Sequence, residues 1–183
     1  MTKTIGVSML ACVILLMVSP QAARCKNEFS ENDKMVSGGI GFGMYGLYGS
    51  STTPPVFGMF EAGVAPKVSA GGIIAYSGSS EDFVYGKWSY SYVVIAARGS
   101  YHFLENVENV DAYAGAGLGY DIVSSSVTYA NPNIQHFGYT AGASYFFFDV
   151  HVGGRYFFSP KWAAMGELGY GVGFLRLGLT YTL

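Results

Sequence analysis

Near the C-terminus, Leu175, Leu177, Leu179, Tyr181 and Leu183 form one side of an alternation whose other side is Arg176, Gly178, Thr180 and Thr182. A period of two sends successive side chains to opposite faces of an extended strand, so one face here is greasy and the other polar or small. The same alternation returns throughout the chain. Trp162, Ala164, Gly166, Leu168 and Tyr170 alternate with Ala163, Met165, Glu167 and Gly169, and Phe146, Phe148, Val150, Val152, Tyr156 and Phe158 oppose Asp149, His151, Gly153 and Arg155. Ala112, Ala114, Ala116, Leu118, Tyr120 and Ile122 stand against Tyr113, Gly115, Gly117, Gly119 and Asp121. Val93, Ile95, Ala97, Tyr101 and Phe103 stand against Tyr92, Val94, Ala96, Arg98, Ser100 and His102. Phe60, Ala62 and Val64 flank Glu61 and Gly63, Ile40, Phe42 and Met44 make a further run, and in 68–77 the adjacent Ile73 and Ile74 leave the face open. The pattern predicts an all-β chain of about eight strands.

These runs are about 10 to 15 residues long, beyond the 5 to 6 of an ordinary globular strand and suited to the 9 to 11 tilted residues that cross a bilayer. Composition decides which face is outside. Only 12% of the residues are Asp, Glu, Lys or Arg, about half the usual share, so a soluble barrel with its apolar face inward would have an apolar exterior as well and would aggregate. Turning the apolar face to lipid removes the conflict. Glu61, Arg98, Asp121, Asp149, His151, Arg155, Glu167 and Arg176 then face a lumen in which their charges roughly pair off. An open sheet edge in hydrocarbon leaves backbone groups unsatisfied, so the expected fold is a closed antiparallel up-and-down transmembrane β-barrel. A barrel of eight strands has an interior just wide enough for side chains to fill. Gly115, Gly117 and Gly119 are expected to make room in it for Arg98, Arg155 and Arg176. Tyr101, Phe103, Phe158, Trp162 and Tyr181 suit interfacial girdles.

The first segment reads as an address. Lys3 precedes an uncharged run over 5–18, and Ser19, Pro20, Gln21, Ala22 and Ala23 follow it. The run is too short for a spanning helix and fits an export signal over 1–23, cut somewhere in 19–26. A polar leader, 24–34, is expected as a solvated periplasmic tail, and 35–183 as the barrel domain. Of Cys12 and Cys25, only Cys25 outlasts removal of the signal, so no disulfide forms within the mature chain. A net charge of −2 with 10 scattered basic residues offers no stripe for nucleic acid.

Connections at 65–67, 104–109 and 159–161 are short and alternate with longer ones expected at 50–55, 77–88 and 124–142, with 171–173 as a very short last hairpin. In barrels of this kind the short turns are periplasmic and the long loops outside. Phe83, Tyr85, Trp88, Tyr129, Ile134 and Phe137 are candidate contact residues of the outer loops, since exposed aromatics suit partner binding.

The stretches YAGAGLGYDIV at 113–123, GGRYFF at 153–158 and GELGYGVGFLRLGLTYTL at 166–183 resemble the small outer-membrane β-barrel proteins of the OmpX and OmpA-barrel type, over about residues 35–183. The resemblance implies an outer-membrane location and insertion by the barrel assembly machinery. It also implies an assembly signal in the terminal strand at Gly178, Leu179, Tyr181 and Leu183, the last standing where the family usually carries an aromatic residue.

No catalytic residues, metal ligands or cofactors are assigned. His102, His136 and His151 lie on three different elements without ligand-like neighbours. Asp149 and His151 share a strand face with Ser144 in the same segment, an acid–base pair in outline, but beside Arg155 they read as structural salt-bridge partners. No His-x-Ser pair of a lipid-modifying barrel occurs, and no G-K-[ST] phosphate loop. The expected function is that of a non-enzymatic barrel with a sealed, charge-networked lumen, working structurally or adhesively through its outer loops on a surface partner. The alternative is a narrow passive channel for small solutes, which a barrel of eight strands disfavours; a lipid-modifying enzyme ranks below both.

Overall fold

The computed structural model describes residues 29–43, 51–105, 107–129 and 140–183. Eight strands, β1 (Lys34–Phe42), β2 (Ser51–Ala65), β3 (Val68–Phe83), β4 (Gly86–His102), β5 (Val110–Tyr129), β6 (Thr140–Phe157), β7 (Trp162–Tyr170) and β8 (Leu175–Thr182), pair in chain order. Every pair is antiparallel, and β1 pairs with β8 to close the barrel. Closure leaves no edge at the level where all eight strands meet, which hydrocarbon requires.

Parity of position follows the alternation. Leu118, Phe148, Val150, Leu168, Leu177 and Leu179 lie exposed on the outer surface, and their strand neighbours are turned inward. Ile73 and Ile74, ambiguous by pattern, divide cleanly, the first 2% exposed in the lumen and the second 55% exposed outside. Register decides it, because Ile73 is paired with Met59 and Ala96, both inward, and Ile74 with Ile95. At the end carrying the short turns, Trp162 meets Tyr181 edge-on at 4.9 Å, and Tyr101, Phe103 and Phe158 stand on the outer surface. Paired amphipathic rings of this kind mark a hydrocarbon–water boundary.

The strands differ in height. β7 and β8 have 9 and 8 residues, while β3, β4, β5 and β6 have 16, 17, 20 and 18. β6 meets β7 only from Val150 onward, so its first ten residues, about 30 Å of strand, stand above the neighbouring rim. The result is a four-stranded wall on one side of the mouth. Within β5 the outward residues are apolar from Ala112 to Ile122, then become Ser124, Ser126 and Thr128, so a membrane-length part is followed by an aqueous one.

Three expected loops are corrected by this wall. The segment 50–55 is strand from Ser51, with a register shift between Thr53 and Val56 that accommodates Pro54 and Pro55; proline is tolerated in a sheet at such a bulge. The expected loop 77–88 shrinks to Val84 and Tyr85, and in 124–142 β5 runs on to Tyr129 and β6 begins at Thr140. Serine and glycine in these segments suggest turns, but the ladders of 77–83, 86–92 and 123–129 continue unbroken and Tyr90, Tyr92 and Val123 pack on the lumen side. The solvated tail expected over 24–34 is also corrected at Phe29, which is 6% exposed inside the barrel's end.

Candidate functional site: a filled lumen and an aromatic hairpin tip

The lumen is stacked in three layers. At the end with the termini, Phe29, Met35, Phe157 and Ala163 pack together. Toward the opposite mouth, Phe57, Met59, Ile73, Ala75, Tyr92, Val94, Ala96, Met165 and Val172 form an apolar layer with Phe147 and Val123 against it. Between the two lies a polar layer that holds most of the buried charged side chains among the described residues.

Arg155 and Asp111 are register partners on β6 and β5 and are bonded at 3.0 Å, and Arg155 also binds Glu61 across the barrel. Its guanidinium lies 4.4 Å from the Tyr113 ring centre, a favourable placing for a desolvated cation. Glu167 accepts from Arg98 at 2.6 Å and from the Tyr113 hydroxyl at 3.0 Å, and is ion-paired with Arg176 at 2.6 Å. Arg176 also reaches Asp149 at 3.1 Å. Arg155, Arg176, Glu167 and Asp149 are each at most 1% exposed, and burial on that scale is tolerated only when the charges are mutually paired and hydrogen-bonded.

Two histidines extend the network. His151 Nδ1 donates to Asp149 at 2.7 Å, and Nε2 is hydrogen-bonded to Ser100 Oγ at 3.0 Å, a hydroxyl that can give or take the proton. His102 differs. Its Nδ1 donates to Asp111 at 2.7 Å, while Nε2 faces Ser69 Oγ at 3.0 Å and Glu61 at 3.3 Å. Ser69 gives its own proton to Glu61, so Nε2 must donate as well, and His102 is an imidazolium. With Arg98, Arg155 and Arg176 it balances Glu61, Asp111, Asp149 and Glu167. Phe29 covers its outer face, ring on ring at 3.7 Å and 3°.

Of the lumen residues picked from the sequence, Glu61, Arg98, Asp149, His151, Arg155, Glu167 and Arg176 are brought into this layer. Asp121 is not: it lies nearer the opposite mouth and accepts from Tyr145 at 2.9 Å. Ser144, considered beside Asp149 and His151, is an exposed residue of the other strand face, and Ser100 occupies the place instead. Sequence reasoning passed over Asp111, His102, Ser69, Ser100 and Tyr113, although strand parity puts all five on the inward face. The glycine lane of β5 makes room differently from expectation. A Cβ at Gly117 would press on Arg98, but one at Gly115 would strike His151 and one at Gly119 would strike Phe147, and Arg155 is served by none of them.

Ser100–His151–Asp149 and Ser69–His102–Asp111 have the outline of acyl-transfer triads. A triad acts on a substrate that reaches its nucleophile. Ser69 and Ser100 are 1% and 6% exposed between filled layers, and the Ser69 proton is committed to a carboxylate. Among the described residues no three side chains are arranged to hold a metal ion.

At the far end of the wall, Phe83 packs against Trp88 at 6.4 Å and edge-on against Tyr129 at 6.3 Å, with Trp88 nearly parallel to Tyr90 at 6.2 Å. Val84 and Tyr85 cap the hairpin, 88% and 71% exposed. Ile134 and Phe137 lie outside the described residues, as do 1–28. In the terminal strand, Leu179 and Leu183 are exposed on the outer surface, Tyr181 meets Trp162, and a Cβ at Gly178 would collide with the Gly38 backbone.

No protein-family model matches the sequence, and no curated protein matches it significantly. Solved structures do match. One is Ail, the attachment invasion locus protein of Yersinia pestis, in complex with the heparin analogue sucrose octasulfate: 15% identity over 84% of this chain and 99% of that one, with a TM-score of 0.58. A second structure of Ail matches at 14% identity over 83% and 95% of the two chains, with a TM-score of 0.51. With its closed ring of eight strands and apolar exterior, the chain has the fold of the small transmembrane β-barrels of bacterial outer membranes.

Proposed function

We propose that this chain is an integral outer-membrane protein whose lumen is a structural plug and whose work is done at the cell surface, by contact through the raised wall. The carrying observation is the distribution of side chains: the lumen is filled, while the wall ends in an aromatic cluster with Val84 and Tyr85 beyond it. Tryptophan and tyrosine are enriched among the few residues that dominate the energy of protein contacts. The likeness to Ail supports a surface role. It does not extend to a sulfated ligand, because the only Asp, Glu, Lys or Arg residues of the raised segments 77–91 and 123–129 are Glu81, Asp82 and Lys87, which disfavours a polyanion.

In this reading 1–23 is a cleaved export signal, the strand ending at Leu183 is handed to the barrel assembly machinery, and the chain carries no enzymatic activity. Two measurements test it. Planar-bilayer recordings of the refolded protein should be silent, and discrete conductance steps would replace the plug with a channel. Cells displaying Val84→Ser/Tyr85→Ser/Trp88→Ala should lose binding to host surfaces at normal display levels; unchanged binding would remove the contact role and leave the barrel.

A further inference from the structure

Among the described residues, the buried carboxylates of the polar layer are matched by cations: Glu61 and Asp111 by Arg155, Asp149 by Arg176 and Glu167 by Arg98. Asp121 is the exception. It is 3% exposed, and its Oδ2 accepts from the Tyr145 hydroxyl. Its Oδ1 is buried without a hydrogen-bond partner, and no cation among the described residues pairs with it. A carboxylate held out of water without a countercharge is costly. Protonation only exchanges one fault for another, because an Oδ1 hydroxyl would then lack an acceptor.

The surroundings say what would satisfy it. Asp121 points inward from β5 between its register partners Val94 on β4 and Tyr145 on β6. Val94 and Tyr92 belong to the apolar layer, and Phe147 and Val123 pack against that layer. The β6–β7 ladder begins only at Val150, so the level of Tyr145 stands above the low rim. Tyr145 is 44% exposed although it faces inward, and Phe147 and Val123 are half-exposed. Asp121 therefore lies at the foot of an apolar and aromatic wall that is open toward the outer mouth. Calcium or magnesium would take six or more oxygens, and this position offers one carboxylate and one hydroxyl. A guanidinium binds best through two parallel bonds to both oxygens of a carboxylate, and Tyr145 already holds Oδ2. A primary ammonium is a point charge that needs only Oδ1. Its methylene stem suits the apolar wall, and the tyrosine rings favour a cation beside them.

We propose that Asp121 is the base of a socket for one lysine side chain presented by the surface partner. The inference rests on the surface-contact reading above and supplies the chemistry of the partner. The test uses full-length mature protein in nanodiscs, verified as folded by its heat-sensitive gel mobility. It is titrated with Nα-acetyl-lysine methylamide while the amide signals of Asp121 and Tyr145 are followed by NMR. The norleucine analogue, which has the same stem without the charge, and the arginine analogue are the comparisons. The lysine probe should bind about ten- to a hundredfold more tightly than norleucine, the effect of one hydrogen bond to a charged group, and more tightly than arginine. Asp121→Asn, which keeps the shape and an acceptor for Tyr145, should lose that advantage. Should this variant not fold, the three probes on the unsubstituted protein decide the matter. Equal binding of lysine and norleucine, a preference for arginine, or an advantage that survives Asp121→Asn overturns the proposal. On displaying cells, acetylating the amines of the host surface should lower binding to the level of Asp121→Asn, and binding unchanged by both treatments overturns the partner lysine. Absence of any host-surface binding by the unsubstituted protein overturns the surface-contact reading and the partner with it, while the titration still reads the socket.

Discussion

Phe29 lies flat on His102, the ring centres 3.7 Å apart and the planes within 3° of parallel. The pair joins the segment before β1 to the polar layer of the lumen, and hydrogen bonds of Asn32 and Asp33 with Gly63 hold that segment in place. Phe29→Ala should therefore cost about 3 to 5 kcal/mol, the range for losing a buried aromatic side chain, measured as a shift in the urea midpoint of the refolded protein in lipid vesicles. A value near zero would return Phe29 to a solvated tail.

Glu167 accepts hydrogen bonds from Arg98 and Tyr113 and is ion-paired with Arg176. Glu167→Ala leaves two buried guanidinium groups short of a partner and should destabilise by about 3 to 5 kcal/mol. Arg155→Ala, which strands Glu61 and Asp111, should fall in the same range. Unchanged unfolding midpoints for both would place these groups in water.

His102 is surrounded by acceptors. Nitrogen-15 spectra of labelled protein at neutral pH should show both of its ring nitrogens carrying hydrogen. A single protonated ring nitrogen would contradict the donor assignment at Ser69. His102→Gln would serve to assign the signals and should lower stability, since it removes the fourth positive charge from the layer.

A Cβ added at Gly115 would meet the Gly99 carbonyl on β4 and the His151 ring on β6. Gly115→Ala should destabilise by about 1 to 3 kcal/mol, the usual cost of overpacking. In a double-mutant cycle with His151→Ala part of that cost should disappear, because the two residues are in direct contact. Additive effects would mean that the strands move apart instead.

Much of the architecture was legible in residues such as 112–122, where alternating alanine, leucine, tyrosine and isoleucine read unambiguously as a lipid-facing strand. Inward-facing arginines and carboxylates were legible for the same reason, since period two assigns a face without any knowledge of partners. Partners were another matter. His102 gains Asp111 through a turn, Ser69 from β3 and Phe29 from before β1, and no local pattern links those four positions. Gly115 serves His151 rather than an arginine because register, set by the whole ladder, decides which side chain stands opposite. The serines at 77–91 read as loop because their hydroxyls suit turns, and only the aromatic inner face of the same residues reveals a continuing strand.

The unequal strands also make the closed ring mechanically uneven. β8, the shortest strand, is held between the 9-residue β1 and β7, whereas β4 and β5 are zipped over almost their full lengths. A pull on β1 and β8 therefore meets least resistance on this low side, where the two strands share eight register pairs and hold their other neighbours by seven each. The tall strands would hold together as a curved sheet after the low side of the cylinder had parted.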